Sequence, residues 1–193
     1  MNTPVYAEQI TSLSDARYFS GMGVRWLGIC VDPNHPRFLP AARFREIAGW
    51  VSGPQFVLEA DSLAPDFNAA ALAEEYGILF FRINPHQIGA VKDYPFGLIL
   101  PDKLNSPGHT SIINDQSITD KSEFLIFSSG EIPALPLKDK ISIIPSPDTA
   151  EEAARMLNSN PAIGFLIKGS DEQEPGLKNY DSRDLLEFLD SIS

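Results

Sequence analysis

Short apolar runs alternate along the chain with polar, turn-rich or amphipathic stretches. Eight of the runs carry strand character: Val5 to Ile10, Trp26 to Val31, Gln55 to Ala60, Ile78 to Ile83, Phe96 to Leu100, Glu123 to Ser128, Ile141 to Ile144 and Ala162 to Lys168. Strands separated by helical stretches read as repeated strand-helix units, and the helical crossovers make those strands parallel. Eight units in succession predict an α/β fold, a small (β/α)8 barrel. The helices carry their own punctuation. Ser12, three residues before Asp15, caps a helix running to Gly21, and Gly23 supplies a stop with positive φ. Pro40 to Trp50 reads as the second helix, and Ala69 to Tyr76, closed by Gly77, as the third. Ser146-Pro147-Asp148 reads as a cap with proline at the first helical position, leading into Thr149 to Leu157. A last helix begins at Asp181, where Leu185, Phe188, Leu189 and Ile192 recur on one face as a buried stripe. From Asp102 to Ser122 the chain is polar without helical period, and from Ser129 to Lys140 it is rich in proline. Shortened or irregular helices are therefore expected after strands five and six.

A single barrel domain over residues 1–193 uses the whole sequence, near the lower limit for an architecture that typically takes about 250 residues. With 43% apolar and 21% charged residues there is enough material for a core, and neither disorder nor a coiled coil is expected. Lysine and arginine number 15 against 26 acidic residues, a net charge of −11. That balance argues against nucleic-acid and membrane-surface partners, whose binding relies on cations. It leaves room for a small anionic ligand, which local donors bind whatever the net charge. Apolar runs such as Phe96 to Leu100 and Ile163 to Ile167 fall far short of the about 20 residues that span a bilayer. The first residues show no basic segment followed by an apolar one, so no secretory signal is expected. Cys30, the single cysteine, has no intramolecular disulfide partner and fits a cytoplasmic location. His35, His86 and His109 stand far apart, so no metal site is expected.

The first two units carry a resemblance. Residues 5–49, VYAEQITSLSDARYFSGMGVRWLGICVDPNHPRFLPAARFREIAG, contain a strand ending in Ile-Thr, a Ser-Asp-Ala-Arg helix, a Gly-x-x-x-Leu-Gly second strand and a loop ending Pro-Arg-aromatic. Near the other end, residues 164–192, GFLIKGSDEQEPGLKNYDSRDLLEFLDSI, contain a glutamate followed by Pro-Gly-x-Lys and a short final helix. Together these resemble phosphoribosylanthranilate isomerase, the tryptophan-biosynthesis enzyme, over roughly the first fifty and last thirty residues. The resemblance implies a cofactor-free Amadori rearrangement in which a cysteine at the end of the first strand takes a proton from carbon. An aspartate at the end of the sixth strand protonates the ring oxygen.

Against that pattern the chain differs where the chemistry lies. The family's Lys-x-Cys-Gly is replaced by Tyr6-Ala7-Glu8-Gln9, so Glu8 takes the cysteine position. The sixth strand reads Leu125-Ile126-Phe127-Ser128, with no carboxylate nearer than Glu123 or Glu131. Pro145-Ser146-Pro147 stands where paired glycines would cradle phosphate, and proline removes an N–H donor there. Lys168-Gly169-Ser170 replaces the Ser-Ser-Gly after the eighth strand, while Arg37 in the Pro-Arg loop matches.

Glu8 is a candidate general base, or alternatively the partner of Lys168 in an ion pair between neighbouring strands; Lys168 is also a candidate Schiff-base amine. Glu59 and Arg82 interrupt apolar strands and point into the barrel if Phe81 faces the helices. With Glu8 and Lys168 they form either a site or a charge-balanced network. Arg37 either grips an anionic end of a substrate or is a solvated turn residue. Ser146 and Ser170 are candidate phosphate donors, Ser146 also a simple cap. His86 is expected in the first turn of a helix and Cys30 as a buried small side chain. Two functional readings follow. One is a catalytically degenerate barrel with a ligand-binding or interaction role, its ligand a phosphorylated small molecule or its partner a protein or a second copy. The other is an active phosphosugar isomerase using Glu8 as base.

Overall fold

The computed structural model describes residues 2–100, 120–127, 140–169, 172–174, 177–178 and 182–192. Strands β1 (Val5–Glu8), β2 (Trp26–Cys30), β3 (Gln55–Glu59), β4 (Phe81–Ile83), β5 (Phe96–Leu100), β6 (Ser122–Phe127), β7 (Ile141–Pro145) and β8 (Ile163–Lys168) close into one barrel in sequence order. All neighbours are parallel, and β8 returns to β1 with Val5 opposite Phe165 and Glu8 opposite Lys168. Helices α1 (Leu13–Gly21), α2 (Ala41–Ala48) and α3 (Ala69–Tyr76) follow the first three strands, and a 3-10 helix (Pro85–Val91) follows β4. Helices α4 (Ala150–Ser159) and α5 (Arg183–Ser191) follow β7 and β8, with a small antiparallel pair, β9 (Glu172–Glu174) and β10 (Leu177–Lys178), in the β8–α5 connection. The expectation of irregular helices after β5 and β6 lies in residues outside those described.

Strand alternation sorts the core into two layers. Inside the barrel, Phe124 of β6 packs against Tyr6 of β1 (ring centroids 5.4 Å apart), Trp26 of β2 (4.6 Å) and Phe80 just before β4 (5.5 Å). So many rings fit because β5 gives way to them: a Cβ on Gly97 would lie 2.0 Å from the Phe124 ring. Outside, Phe81 packs on Phe67 and Tyr94, so it faces the helical layer and Arg82 faces inward. Phe44 of α2 meets Phe56 and Tyr76 in the same layer.

The caps of the first and third helices follow the sequence reading. The Ser12 hydroxyl accepts from the Asp15 amide, Gly23 has φ 73°, and Gly77 ends α3 at φ 70°. Two expectations are corrected. Thr149, not Ser146, caps α4, accepting from the Glu152 amide; the chain stays extended past β7, where the Ser146 amide still donates to Leu166 O. The buried stripe of α5 is Leu185, Leu186 and Leu189, while Phe188 is half-buried and Ile192 is 51% exposed. The helix ends at Ser191, so Ile192 falls beyond the last turn that the barrel covers. Among the described residues no helix is long and apolar enough to cross a membrane.

Candidate functional site

The C-terminal ends of β1, β3 and β4 bring a polar group into the barrel mouth. Its centre is Arg82 on β4, buried, with its guanidinium shared among three carboxylates. Nη1 lies 2.8 Å from Glu8 Oε2 and 3.0 Å from Glu59 Oε1. Nη2 and Nε donate to Asp61 Oδ1 at 2.9 and 3.0 Å. Glu59 also accepts from the Tyr6 hydroxyl (3.0 Å) and from the Gln9 amide, which reaches both carboxylate oxygens at 3.3 and 3.2 Å. The space for this carboxylate comes from β2, where a Cβ on Gly28 would stand 1.9 Å from Glu59 Oε1.

Loop hydrogen bonds hold the group in register. The Gln87 side chain donates to Ala60 O and Leu63 O, and Asn84 Nδ2 donates to Asp61 O at 2.8 Å, tying the segment after β3 to the start of the 3-10 helix. On the other side Gln9 takes φ 57°, a left-handed conformation that non-glycine residues rarely adopt. It stands where the resembled family has glycine, and its amide is turned towards Glu59.

Burial gives these groups unusual acidities. Glu59 is pushed up to about 7, chiefly by burial, with Arg82 pulling it down and Glu8 and Asp61 pushing it up. The Tyr6 phenol is held well above its usual range by burial and by Glu59. Burial works against the charge of Arg82, but Glu59, Tyr6, Asp61 and Glu8 together hold it firmly protonated. Three carboxyl groups thus share one guanidinium at the floor of the mouth.

Of the residues singled out from the sequence, Glu8, Glu59 and Arg82 meet in this cluster. Glu8 is buried, and its ion pair is with Arg82 across the barrel. The expected Glu8–Lys168 pair is not formed: Lys168 lies opposite Glu8 in register but is exposed at the strand end and has no ion pair among the described residues. The buried guanidinium outcompetes it, because Arg82 has no solvent to fall back on whereas the Lys168 ammonium does. Arg37 is half-buried at the rim, with Nη1 3.5 Å from Gln9 O. Ser146 has its amide committed to Leu166 O. Ser170 lies outside the described residues. His86 is exposed in the first turn of the 3-10 helix, and Cys30 is a buried thiol that burial raises to about 11. Asp61 and Tyr6 are members the sequence reading did not single out. Asp61 had a signal, since it follows Glu59 by two positions and alternation directs both to one face.

A closed parallel barrel with its ionisable side chains gathered at the C-terminal ends of the strands defines the class, a (β/α)8 barrel with a mouth of the kind that carries active sites. Solved structures narrow the likeness further. Phosphoribosyl anthranilate isomerase from Thermus thermophilus matches with a TM-score of 0.70 and 21% identity, over 98% of this chain and 100% of that one. The N-(5'-phosphoribosyl)anthranilate isomerase of Pyrococcus furiosus matches at 0.69 and 15%, over 98% and 99%. Orotidine 5'-monophosphate decarboxylase from Methanocaldococcus jannaschii matches at 0.59 and 10%, over 97% and 98%. At these identities the likeness is one of fold, and it extends to barrels with different named activities. No protein-family model matches the chain, and no curated protein matches it.

Proposed function

We propose that this chain is a phosphoribosylanthranilate isomerase-like barrel that no longer performs the rearrangement and that binds a small ligand at its mouth. One observation carries this reading: Glu8, at the position of the resembled family's proton-abstracting cysteine, is bound at 2.8 Å to a buried arginine that two further carboxylates share. A proton taken up by a carboxylate in that place discharges a group that offsets the buried guanidinium, so the arginine opposes the transfer. The sixth strand offers no carboxylate at its end to serve as acid, and the Ser146 amide is unavailable to a phosphate. Losing either an acid or a base typically costs about 10²–10⁴ in rate, so losing both leaves little of the reaction. The ligand class that fits is a phosphorylated small molecule held from the rim, where Arg37 and Lys168 supply cations above the acidic floor.

The active alternative has one observation in its favour. Glu8 Oε1 makes no hydrogen bond among the described residues, so one oxygen remains open at the mouth. Turnover of phosphoribosylanthranilate by the purified protein, followed through anthranilate fluorescence with Glu8→Ala alongside, separates the two. No turnover above the uncatalysed rate is expected from folded protein. Turnover that Glu8→Ala abolishes would overturn the proposal and establish a carboxylate-based isomerase.

A further inference from the structure

The contacts of Glu59 have a one-sided chemistry. Every group at its two oxygens is a donor: the Gln9 amide at both, the Tyr6 hydroxyl and Arg82 Nη1 at Oε1. A proton on this carboxyl therefore meets no ready acceptor. At Oε2 it takes that oxygen from the Gln9 N–H and leaves it only the longer 3.3 Å contact to Oε1, now on a neutral acid; at Oε1 it is accepted only if the Tyr6 hydroxyl turns round, and the Arg82 contact is lost. Arg82 tolerates that loss because Glu8 and Asp61 still hold it. Gln9 has no such reserve, since Glu59 supplies the acceptors of its amide and its backbone is left-handed.

We infer that Glu59 is a proton-operated latch on the Gln9 turn: the ionised carboxylate clamps the turn between β1 and α1, and the protonated acid releases it. Release acts on the mouth directly. Gln9 follows Glu8 in the chain, and its carbonyl faces Arg37, so one turn joins the cluster in the barrel to the cation at the rim. The groups acting on Glu59 come from every side of the site: Tyr6 and Glu8 from β1, Cys30 from β2, Asp61 after β3 and Arg82 from β4. Arg82 favours the clamped form; burial, Glu8 and Asp61 favour the released one, and their balance sets the midpoint near neutrality. The latch holds whether or not the barrel turns over a substrate.

Amide hydrogen exchange from about pH 5 to about pH 9, a span bracketing a carboxyl raised to neutrality, tests it. The Ile10 amide, bonded to Gly28 O at 2.8 Å with no ionisable acceptor, is the internal reference. Protection of the Gln9 amide relative to Ile10 is expected to fall about tenfold, the equivalent of one charge-assisted hydrogen bond, as pH drops through the midpoint. In Glu59→Gln the ratio is expected to be flat. A flat ratio in the folded wild type, or an unchanged pH dependence in Glu59→Gln, overturns the inference. Should Glu59→Gln not fold, Glu8→Gln takes its place: it removes a negative charge that pushes Glu59 up, so the midpoint must move to lower pH, and an unmoved midpoint overturns the assignment.

Discussion

Glu59→Gln also has a consequence for stability that can be worked through. An ordinary glutamate titrates near 4.5 and Glu59 near 7, a difference worth roughly 3 kcal/mol. Between those values the folded protein binds a proton at this site that the unfolded chain does not. The contribution is therefore fully present below the unfolded value, declines as pH rises, and is lost once pH passes the folded value near 7. Glutamine cannot ionise and carries none of this slope. It brings its own cost, because its NH2 group must face one of the donors around the carboxylate, and a mismatched buried donor costs about 1–3 kcal/mol. That cost does not vary with pH, so the slope is the clean observable. Urea unfolding of both proteins at steps from about pH 5 to about pH 8 is expected to show Glu59→Gln gaining roughly 2–3 kcal/mol on the wild type over the range. Titrating groups remote from Glu59 cancel in the difference. A flat difference would refute the claim that Glu59 shares its carboxyl between two protonation states near neutrality.

Arg82→Met removes the one cation among Glu8, Glu59 and Asp61, and is expected to cost about 3–5 kcal/mol near neutral pH, with partial recovery in mild acid as the stranded carboxylates take up protons; pH-dependent urea unfolding measures both. Thr149→Ala is expected to cost about 1 kcal/mol through loss of the α4 cap, whereas Ser146→Ala is expected to stay within about 0.5 kcal/mol, and their melting temperatures distinguish the two positions.

The barrel was legible because period and punctuation agreed: strand runs of the right length, glycine stops at Gly23 and Gly77, and a serine cap at Ser12 all specify the same units. The α4 start was misread because Ser-Pro-Asp is a good cap in isolation, while the β7–β8 hydrogen bond that keeps Ser146 extended is a long-range contact no local pattern records. The cluster was half legible. Charged residues within apolar strands marked Glu59 and Arg82, and the resemblance marked Glu8. Their gathering in one charge network was legible as well, but the pairing within it was not, because a parallel barrel brings β1 and β4 together across its interior, not along an edge, so neighbour-strand reasoning paired Glu8 with Lys168 instead of Arg82. Lys168 is adjacent in register, yet it can remain in water; Arg82 cannot.

The polar side chains at the end of β1 act as one group. Where the resembled pattern has a lysine and a cysteine, this chain has Tyr6 and Glu8, so that face of the strand carries an acid and no cation. A carboxylate buried in the mouth calls for a compensating positive charge, and Arg82 lies 2.8 Å from Glu8 to supply it. Tyr6 is bound into the same group: its hydroxyl donates to Glu59, and its ring lies 5.7 Å from the Arg82 guanidinium carbon. Gln9 completes the group, its left-handed backbone making two contacts to Glu59. Three of the four positions from Tyr6 to Gln9 thus serve the arginine cluster, and Ala7, on the opposite face of the strand, is the exception. A mouth organised so consistently around an internal ion cluster has its polar atoms directed at one another, so the ligand proposed above has to be met at the rim, where Lys168 is exposed and Arg37 is half-buried.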